Sequence, residues 1–154
     1  MVGMTEEATL PYGVTIEVRD ACLCLHLQRA ARAMARYFDD LLRPFELTNG
    51  QFSLLMSLNR PEPPAISSVA TLLAMDRTTL TANLKPLQRR GLLTVAPDKK
   101  DKRTRRLLLT DEGRDLLARA VPVWREAHAA LEKSLPDRNA DDLRADLLAL
   151  SVDR

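Results

Sequence analysis

A single segment, residues 67–109, constrains the fold of this 154-residue chain more than any other. Its first part, Ser67–Leu73, has the apolar spacing of a short helix, with Ser67 as the expected N-cap. A tight turn follows. Asp76 then caps a second helix that begins at Arg77, because its carboxylate can accept hydrogen bonds from first-turn amides. Two short helices joined by a tight turn are typical of a helix-turn-helix.

The second helix is predicted to bury one face and to expose another. Leu80, Leu84 and Leu87 recur at four- and three-residue steps and form a buried stripe. Pro86 removes one amide donor and should bend the axis, but only beyond the first two turns. The exposed face of those turns is made of Arg77, Thr78, Thr81, Ala82 and Lys85.

A hairpin with a basic loop is predicted next. Gly91 is the natural end of the second helix. Leu92–Val95 and Arg105–Leu109 have the length and composition of paired strands, and the connection between them, residues 96–104, carries three Lys and one Arg. The pattern therefore predicts a helix-turn-helix with a wing.

Positive charge is concentrated on this part of the chain. Residues 77–106 contain ten basic and two acidic side chains, a net charge of +8, whereas the whole chain carries +2, so the remainder carries −6. A basic field on an otherwise acidic chain is typical of a polyanion-binding site. A solvated basic face is the alternative. The charges coincide with the helix-turn-helix, however, which favours double-stranded DNA as the partner.

Helical segments flank the winged unit. Residues 1–15 are expected to form an irregular arm, because Pro11-Tyr12-Gly13 disfavours a helix there. A helix is predicted from Asp20, its expected N-cap, to Arg43, and Pro44 ends it.

Further helices are predicted on either side of the hairpin. Thr48 and Gln51 form a capping box that opens an apolar, buried helix to about Leu58. The remaining expected elements are a helix from Thr110 to about Ser134, a break at residues 136–139 and a helix from Asp141 to about Leu150.

The expected fold class is mainly α with a small β-hairpin wing, in one domain over residues 1–154. Residues from about 48 to 110 would form the winged-helix lobe, and about 14–43 and 111–154 the dimerisation helices. The first and last long helices carry more apolar surface than the small winged core can cover. We therefore expect a homodimer with intertwined termini.

Composition and motifs argue against several other classes of protein. No apolar run approaches the ~18 residues of a membrane helix, and the first ten residues lack the pattern of a signal peptide, so a cytoplasmic location without a membrane partner is expected. No Ser/His/Asp set and no phosphate-binding glycine loop is evident, and His26 and His128 are the two histidines. We therefore expect neither an enzyme nor a bound cofactor.

The segment Leu47–Ala120 resembles the MarR family of bacterial transcriptional regulators (multiple antibiotic resistance regulators). The most specific match is Asp101-Lys102-Arg103, which fits the D-x-R signature of the family's wing and is followed by LLLTDEGR. Coarser similarity in helical layout covers about Cys22 to Leu150. The resemblance implies a winged-helix dimer that holds the helix from Arg77 in the major groove of DNA.

The resemblance also implies roles for individual residues. Arg103 would lie at the wing tip and reach a minor groove, whose negative potential attracts arginine. Asp101 would anchor the wing by pairing with a basic side chain nearby. Ala82 departs from the family, since many members carry Arg there. The expected DNA contacts are Ser67, Arg77, Thr78, Thr79, Thr81, Lys85, Lys99, Lys100, Lys102, Arg103 and Arg105.

The two cysteines, Cys22 and Cys24, leave three alternatives open. A peroxide-sensing branch of the family, the organic hydroperoxide resistance regulators, has a reactive cysteine whose surroundings match the spacing of Cys24, Leu27, Arg32 and Met34. The positions of that branch's two tyrosines hold Phe38 and Asn49 here. The alternatives are a thiol sensor, small apolar fillers of a dimer helix, and a metal site that would need ligands from the partner chain besides Cys22, Cys24 and His26.

The sequence thus predicts a homodimeric, sequence-specific DNA-binding regulator, a repressor released by a small ligand or an oxidant. Two recognition helices related by a two-fold axis would bind a palindromic site with half-sites one helical turn apart. A non-specific architectural DNA-binding protein is the rival hypothesis. The ligand would lie between the dimerisation helices and the winged lobe, near Met34, Phe38, Phe52 and Trp124, with Cys22 and Cys24 as further pocket or redox candidates.

Overall fold

The computed structural model describes residues 9–137 and 139–152. Within these ranges the chain is mainly α with a small antiparallel hairpin, as the sequence predicts. In chain order the elements are α1 (Tyr12–Ala21), α2 (Leu23–Leu42), a 3₁₀ turn (Arg43–Phe45), α3 (Asn49–Leu58), α4 (Ile66–Leu72), α5 (Arg77–Arg89), β1 (Leu93–Pro97), β2 (Arg105–Leu109), α6 (Asp111–Lys133) and α7 (Ala140–Leu150).

A leucine-rich core lies between the middle helices and the hairpin. α2 packs on α3 and α6, α4 packs on α5 and β2, and α5 contacts β1. Burial of this apolar area is the main stabilising contribution to such a core. The side chains less than 2% exposed are Leu42, Leu54, Leu55, Val69, Leu80, Leu87, Leu93 and Leu107.

The N-terminal region differs from its prediction. α1 begins at Tyr12, although the sequence predicts an irregular arm up to residue 15, because Pro11 occupies the N-cap, where the helix needs no amide donor. The part of that arm in residues 1–8 lies outside the described residues. The predicted long helix is also divided. Cys22, with φ −70° and ψ 108°, separates α1 from α2, so Asp20 belongs to α1 and does not cap α2.

The end of α2 agrees with the stop signal at Pro44. The chain tightens into the 3₁₀ turn and reverses at Glu46, which has a left-handed φ of 53°. The amide of Glu46 bonds to the Arg43 carbonyl at 2.9 Å, and the amide of Leu47 bonds to the Leu42 carbonyl at 3.4 Å. This is the hydrogen-bond pattern of a Schellman ending.

The capping box predicted for α3 is confirmed. Thr48 Oγ1 accepts from the Gln51 amide at 3.2 Å, and Gln51 Oε1 accepts from the Thr48 amide at 3.0 Å. Asp39 of α2 adds a second tie, since its carboxylate accepts from the Asn49 amide at 2.6 Å. The C-terminal half of α2 is therefore hydrogen-bonded to the first turn of α3.

The helix-turn-helix forms, but α4 does not start as predicted. Its N-cap is Ala65, so Ser67 is not the cap. Ala65 pairs with Arg106 of β2 in an isolated bridge, and this pairing sets the start of α4 at Ile66. The Ser68 hydroxyl donates back to the Ala65 carbonyl at 2.9 Å.

The buried face of α4 differs from its prediction at one residue. The spacing of Val69, Leu72 and Leu73 predicts that all three face inward. Val69 is fully buried and Leu73 packs against the core, but Leu72 is 59% exposed. Ile66 and Ala70 complete the inward face instead. Ala65, directly before this helix, is held to β2 by the bridge to Arg106.

The hairpin is held on its open edge by the proline-rich loop before α4. β1 and β2 pair with Leu93 opposite Leu109 and Pro97 opposite Arg105. The Leu107 amide donates to the Pro64 carbonyl at 2.9 Å. The wing strands are therefore attached to the start of the helix-turn-helix.

The helices at both ends of the chain leave apolar side chains uncovered. Among the described residues, α1 and α7 contain no fully buried side chain. No helix in these ranges is long and apolar enough to cross a membrane. The predicted break before α7 is present, although its Arg138 lies outside the described residues. The exposed apolar residues near the termini are Leu10, Tyr12, Val14, Val18, Leu23, Leu147, Leu148, Leu150 and Val152.

Candidate nucleic-acid interface

The start of α5 is fixed by the N-cap that the sequence predicts. Asp76 Oδ1 accepts from the Thr79 amide at 2.7 Å, and Asp76 Oδ2 accepts from the Thr79 hydroxyl at 2.8 Å. The amide and then the hydroxyl of Thr79 hold the pKa of Asp76 below its ordinary value. The hydroxyl proton of Thr79 is engaged in this cap, which leaves its oxygen as an acceptor, and contact of Thr79 with DNA stays a prediction.

The two faces of α5 are divided as predicted. Leu80, Leu84 and Leu87 are at most 3% exposed. The opposite face is open to solvent and consists of Arg77, Thr78, Thr81, Ala82 and Lys85. The Thr81 hydroxyl donates to the Arg77 carbonyl at 2.8 Å, which leaves its oxygen free to accept a bond from outside.

The same face continues beyond the residues that the sequence analysis selected. Gln88 and Arg89 are exposed and lie seven and four residues after Thr81 and Lys85. Side chains at these spacings share one helix face. The spacing alone is sufficient to identify both residues as further candidates for contact with a polyanion.

The wing turn is organised by Asp98. Its Oδ2 accepts from the amides of Lys100 and Asp101 at 3.1 and 3.0 Å, and its Oδ1 accepts from Arg106 Nε at 3.0 Å. The Asp101 amide, then the Arg106 guanidinium, then the Lys100 amide lower the pKa of Asp98. Arg106 Nη1 also donates to the Pro63 carbonyl at 3.2 Å. The carboxylate of Asp98 thus ties the turn to Arg106 in the second strand, and Arg106 bonds to the proline loop.

Asp101 has a different role from the predicted one. The family resemblance implies that Asp101 anchors the wing by pairing with a basic side chain, but the ion pair of the wing is formed by Asp98 and Arg106. Asp101 instead accepts from the Arg103 amide at 3.0 Å and from the Thr104 hydroxyl at 3.2 Å. The difference follows from the hairpin register. Arg106 pairs with Ala96, and Asp98, two residues further on, lies on the same face as Ala96, whereas Asp101 lies in the turn.

The expected contact residues outside α5 are all accessible. Ser67 is exposed in the first turn of α4. Five basic side chains of the wing are exposed as well: Lys99, Lys100, Lys102, Arg103 and Arg105. The structure therefore brings a capped helix and an ordered basic turn together in one lobe, and contact of these residues with DNA stays a prediction.

An aromatic cluster lies where α2, α3 and α6 meet. Phe52 stacks on Trp124 with ring centroids 6.2 Å apart, and Trp124 lies 4.7 Å from the His128 ring. Phe38 is 6.2 Å from His128 on the other side. Phe38, Phe52 and Trp124 are candidates for a ligand pocket from the sequence. His128 is a further member of the cluster, and its position four residues after Trp124 could have indicated it. Met34 is 38% exposed on α2.

The two cysteines occupy the joint between α1 and α2. Cys22 Sγ accepts from the Leu25 amide at 3.4 Å and so caps α2. Cys24 is exposed and accepts from Gln28 Nε2 at 3.1 Å. The His26 ring bonds to the Cys22 carbonyl at 2.8 Å. Within the described part of the chain no three His, Cys, Asp or Glu side chains are grouped so that they could hold a metal ion.

Comparison with curated proteins identifies transcriptional regulators. The sequence model of the MarR family matches residues 47–104. The HTH-type transcriptional regulator TtmR of Methylorubrum extorquens is 36% identical over 97 residues, 63% of this chain and 50% of TtmR, so this chain spans half the length of that relative. The organic hydroperoxide resistance transcriptional regulator of Bacillus subtilis is 30% identical over 101 residues, 66% of this chain and 69% of that protein.

Two solved structures share the fold over most of the chain. The M. tuberculosis transcriptional regulator MosR in complex with DNA is 37% identical, with a TM-score of 0.77 over 84% of this chain and 93% of MosR. The transcriptional repressor CouR bound to a 23-mer DNA duplex is 30% identical, with a TM-score of 0.73 over 93% of this chain and 98% of CouR. The capped α5, the D-x-R wing and these matches lead to one conclusion: the chain belongs to the MarR family of winged-helix transcriptional regulators.

Proposed function

We propose that this protein is a homodimeric, sequence-specific DNA-binding regulator that represses transcription from a palindromic operator and responds to a small ligand. The exposed face of α5 carries the proposal, because a rigidly capped helix presents Arg77, Thr78, Thr81 and Lys85 to solvent. Such a row can reach base edges and phosphates in a major groove. MosR and CouR, at 37% and 30% identity, are both described in complex with DNA, and CouR as a repressor, which supports the assignment.

The wing would add affinity with little sequence information. Exposed lysines such as Lys99 and Lys102 suit phosphate contacts, which position a protein without specifying the sequence. Arg103, next to the ordered Asp101, suits insertion into a narrow minor groove. We therefore propose that α5 provides sequence specificity and that the wing provides affinity for the duplex.

Duplexes selected from a random library, titrated at several salt concentrations, test the DNA-binding part. A selected palindrome should bind about a thousandfold more tightly than a scrambled duplex. Affinity for both duplexes should fall steeply with salt, because phosphate contacts release counterions. Equal affinity for the two duplexes at physiological salt would show a non-specific architectural protein and would contradict the proposal.

The dimeric part of the proposal rests on the uncovered apolar side chains of α1, α7 and the first turn of α2, which begins at Leu23. Leu148 is 72% exposed and Leu23 is 65% exposed, so a two-fold contact would remove large apolar side chains from water. Sedimentation should show a dimer for the wild type, and Leu148→Arg should weaken it. Leu72→Arg is the matched control, since Leu72 is 59% exposed on α4 in the winged lobe. A wild-type chain that sediments as a monomer would refute this part.

The ligand part rests on the aromatic cluster of Phe38, Phe52, Trp124 and His128. Trp124 is the only tryptophan in the chain, so its fluorescence reports directly on this cluster. Small planar compounds that change the fluorescence should also change the DNA affinity of the wild type, because the cluster joins α2 to the winged lobe. Compounds that alter the fluorescence of Trp124 but leave DNA affinity unchanged would argue against a regulatory site here.

Oxidant sensing by Cys24 is the second candidate function. Its thiol is exposed in the first turn of α2, beside a cysteine that caps the same helix. An organic hydroperoxide would transfer one oxygen to the Cys24 thiolate, giving a sulfenic acid and an alcohol with uptake of one proton. The new polar group would lie at the joint between α1 and α2, both assigned to the dimer contact.

DNA titration before and after treatment with an organic hydroperoxide separates the two candidates. Oxidant sensing predicts that treated wild type releases the selected duplex and that a thiol reductant restores binding. Cys24→Ser should bind DNA and ignore the oxidant, whereas the control Cys22→Ser should still respond. Full DNA affinity in a sample whose Cys24 carries the added oxygen would rule the oxidant out as the signal.

A further inference from the structure

The side chain of Arg90 ties the end of α5 to the 3₁₀ turn that follows α2. Its Nη1 donates to the Glu46 carbonyl at 2.5 Å, and its Nη2 donates to the Phe45 carbonyl at 3.4 Å. Arg90 is also the C-cap of α5, with its own amide directed at the carbonyls of Pro86 and Gln88. A displacement of the two accepting carbonyls would therefore act on the end of α5 itself.

The acceptors exist because of how α2 ends. The last carbonyls of a helix have no partner within the helix. The left-handed Glu46, with φ 53°, turns the chain so that two successive carbonyls face Arg90. A planar guanidinium offers donors in a fixed fork and can satisfy both carbonyls at once, whereas an ammonium offers one charged centre on a flexible stem.

This tie joins two helices whose main packing partners differ, although α3 packs on both α2 and α4. α5 packs on α4 and β1, whereas α2 packs on α3 and α6. α2 also bonds to α3 through Asp39 and the Asn49 amide. α2 and the 3₁₀ turn that follows it are therefore hydrogen-bonded to both α3 and α5, and α2 is the helix that the proposed dimer contact would hold.

We infer that Arg90 is a positioning residue that sets the orientation of α5 relative to α2, and with it the spacing of DNA half-sites that the dimer accepts. The inference rests on the proposed function. If the proposed dimer contact holds the α2 helices of the two protomers, the ties at Arg90 would relate the two α5 helices to each other through them. Each base pair inserted between half-sites moves them apart by about 3.4 Å along the duplex and rotates one against the other. A dimer whose α5 helices are held rigidly binds half-sites at one spacing. A dimer whose α5 helices are held loosely also binds half-sites one base pair closer or further apart.

A spacing series tests the inference. The selected palindrome is rebuilt with its half-sites one base pair closer and one base pair further apart, and the Kd of each duplex is measured. The preference for a spacing is the ratio of the Kd of an altered duplex to the Kd of the best duplex. This ratio should be about fivefold smaller for Arg90→Ala than for the wild type, the factor that corresponds to a typical net hydrogen-bond contribution. Arg90→Lys should recover part of the preference, because one donor can still reach a carbonyl.

Arg89→Ala is the matched control. Arg89 is the exposed neighbour on the face of α5 that would meet DNA, so its loss should weaken binding to all three duplexes equally. If Arg90→Ala loses DNA affinity equally at all three spacings, Arg90 is a phosphate contact and the inference is overturned. An Arg90→Ala variant with the same ratio of Kd values between spacings as the wild type would overturn it as well. If Arg90→Ala does not fold, the same comparison is made between Arg90→Lys and the wild type. A wild type that binds no selected palindrome would refute the proposed function, and this inference with it.

Discussion

Gly113, in the first turn of α6, lies so close to Leu92 that a Cβ atom added to it would be 2.2 Å from the Leu92 carbonyl oxygen. The same Cβ would be 2.8 Å from Leu109 Cδ1 in β2. The Thr110 amide, which precedes this turn, donates to the same Leu92 carbonyl at 3.1 Å. α6 is therefore seated directly on the backbone that leads into the wing, and the contact depends on the missing side chain.

Gly113→Ala should consequently destabilise the protein by about 2–3 kcal/mol, because the clash is with backbone and cannot be relieved by a side-chain rotation. Gly50→Ala is the control. Its Cβ would meet nothing closer than Thr48 Oγ1 at 3.9 Å, so that variant should be neutral or more stable by roughly 0.4–1 kcal/mol. Urea unfolding of both variants at equal protein concentration measures the difference. Equal stability of the two would contradict the close seating of α6.

Arg103→Ala should cost about 1–3 kcal/mol of DNA affinity if the side chain enters a groove. Thr104 and Asp101 hold the turn independently of the Arg103 side chain, so the fold should be unaffected. Lys102→Ala, at the exposed neighbouring position, should reduce DNA affinity less than Arg103→Ala does. Its main effect should be a smaller dependence of DNA affinity on salt concentration. Titration of the selected duplex checks both, and an unchanged affinity in Arg103→Ala would remove the groove contact.

Asp98→Asn should loosen the wing, because the ion pair with Arg106 is lost and the acceptor of two amides becomes weaker. DNA affinity should fall, and the amides of Lys100 and Asp101 should exchange their hydrogens faster. Asp115→Asn, an exposed carboxylate on α6, should change neither quantity. Unaltered amide exchange in Asp98→Asn would show that other contacts order the turn.

The lowered pKa of Asp98 gives stability a defined dependence on pH. A carboxyl group whose pKa is lower in the folded state stabilises the fold above its ordinary pKa, about 3.9, and this stabilisation is lost as the pH falls from there through the folded value. The Tm should therefore fall below about pH 4 in the wild type. The fall in Tm should be shallower in Asp98→Asn, where this group no longer titrates. Parallel curves of Tm against pH for the two proteins would show that Asp98 does not contribute to the acid destabilisation.

Asp76→Ala should lower stability through loss of the α5 cap. It should also lower DNA affinity, because the first turn of α5 would fray where Arg77 and Thr78 face solvent. Thr48→Ala removes the equivalent cap of α3 and should cost similar stability with little effect on DNA affinity. Parallel effects of the two variants on DNA affinity would show that the cap acts only through overall stability.

Local signals in the sequence were sufficient for much of the fold. The capping box of Thr48 and Gln51, the cap at Asp76 and the stripe of Leu80, Leu84 and Leu87 all involve residues at most seven positions apart. Over such distances helix geometry determines which groups meet. The exposed face of α5, including the overlooked Gln88 and Arg89, follows from the same periodicity.

Other features were decided only by contacts between distant parts of the chain. The bridge between Ala65 and Arg106 sets where α4 begins, and the register of the hairpin gives the wing's ion pair to Asp98 and not to Asp101. The bonds from Arg90 to the 3₁₀ turn that follows α2 cross more than forty residues. No periodicity encodes such pairs, because each depends on where the packed core places two segments. The sequence by itself therefore determined the winged helix and its basic face, and tertiary packing decided how that face is anchored to the rest of the molecule.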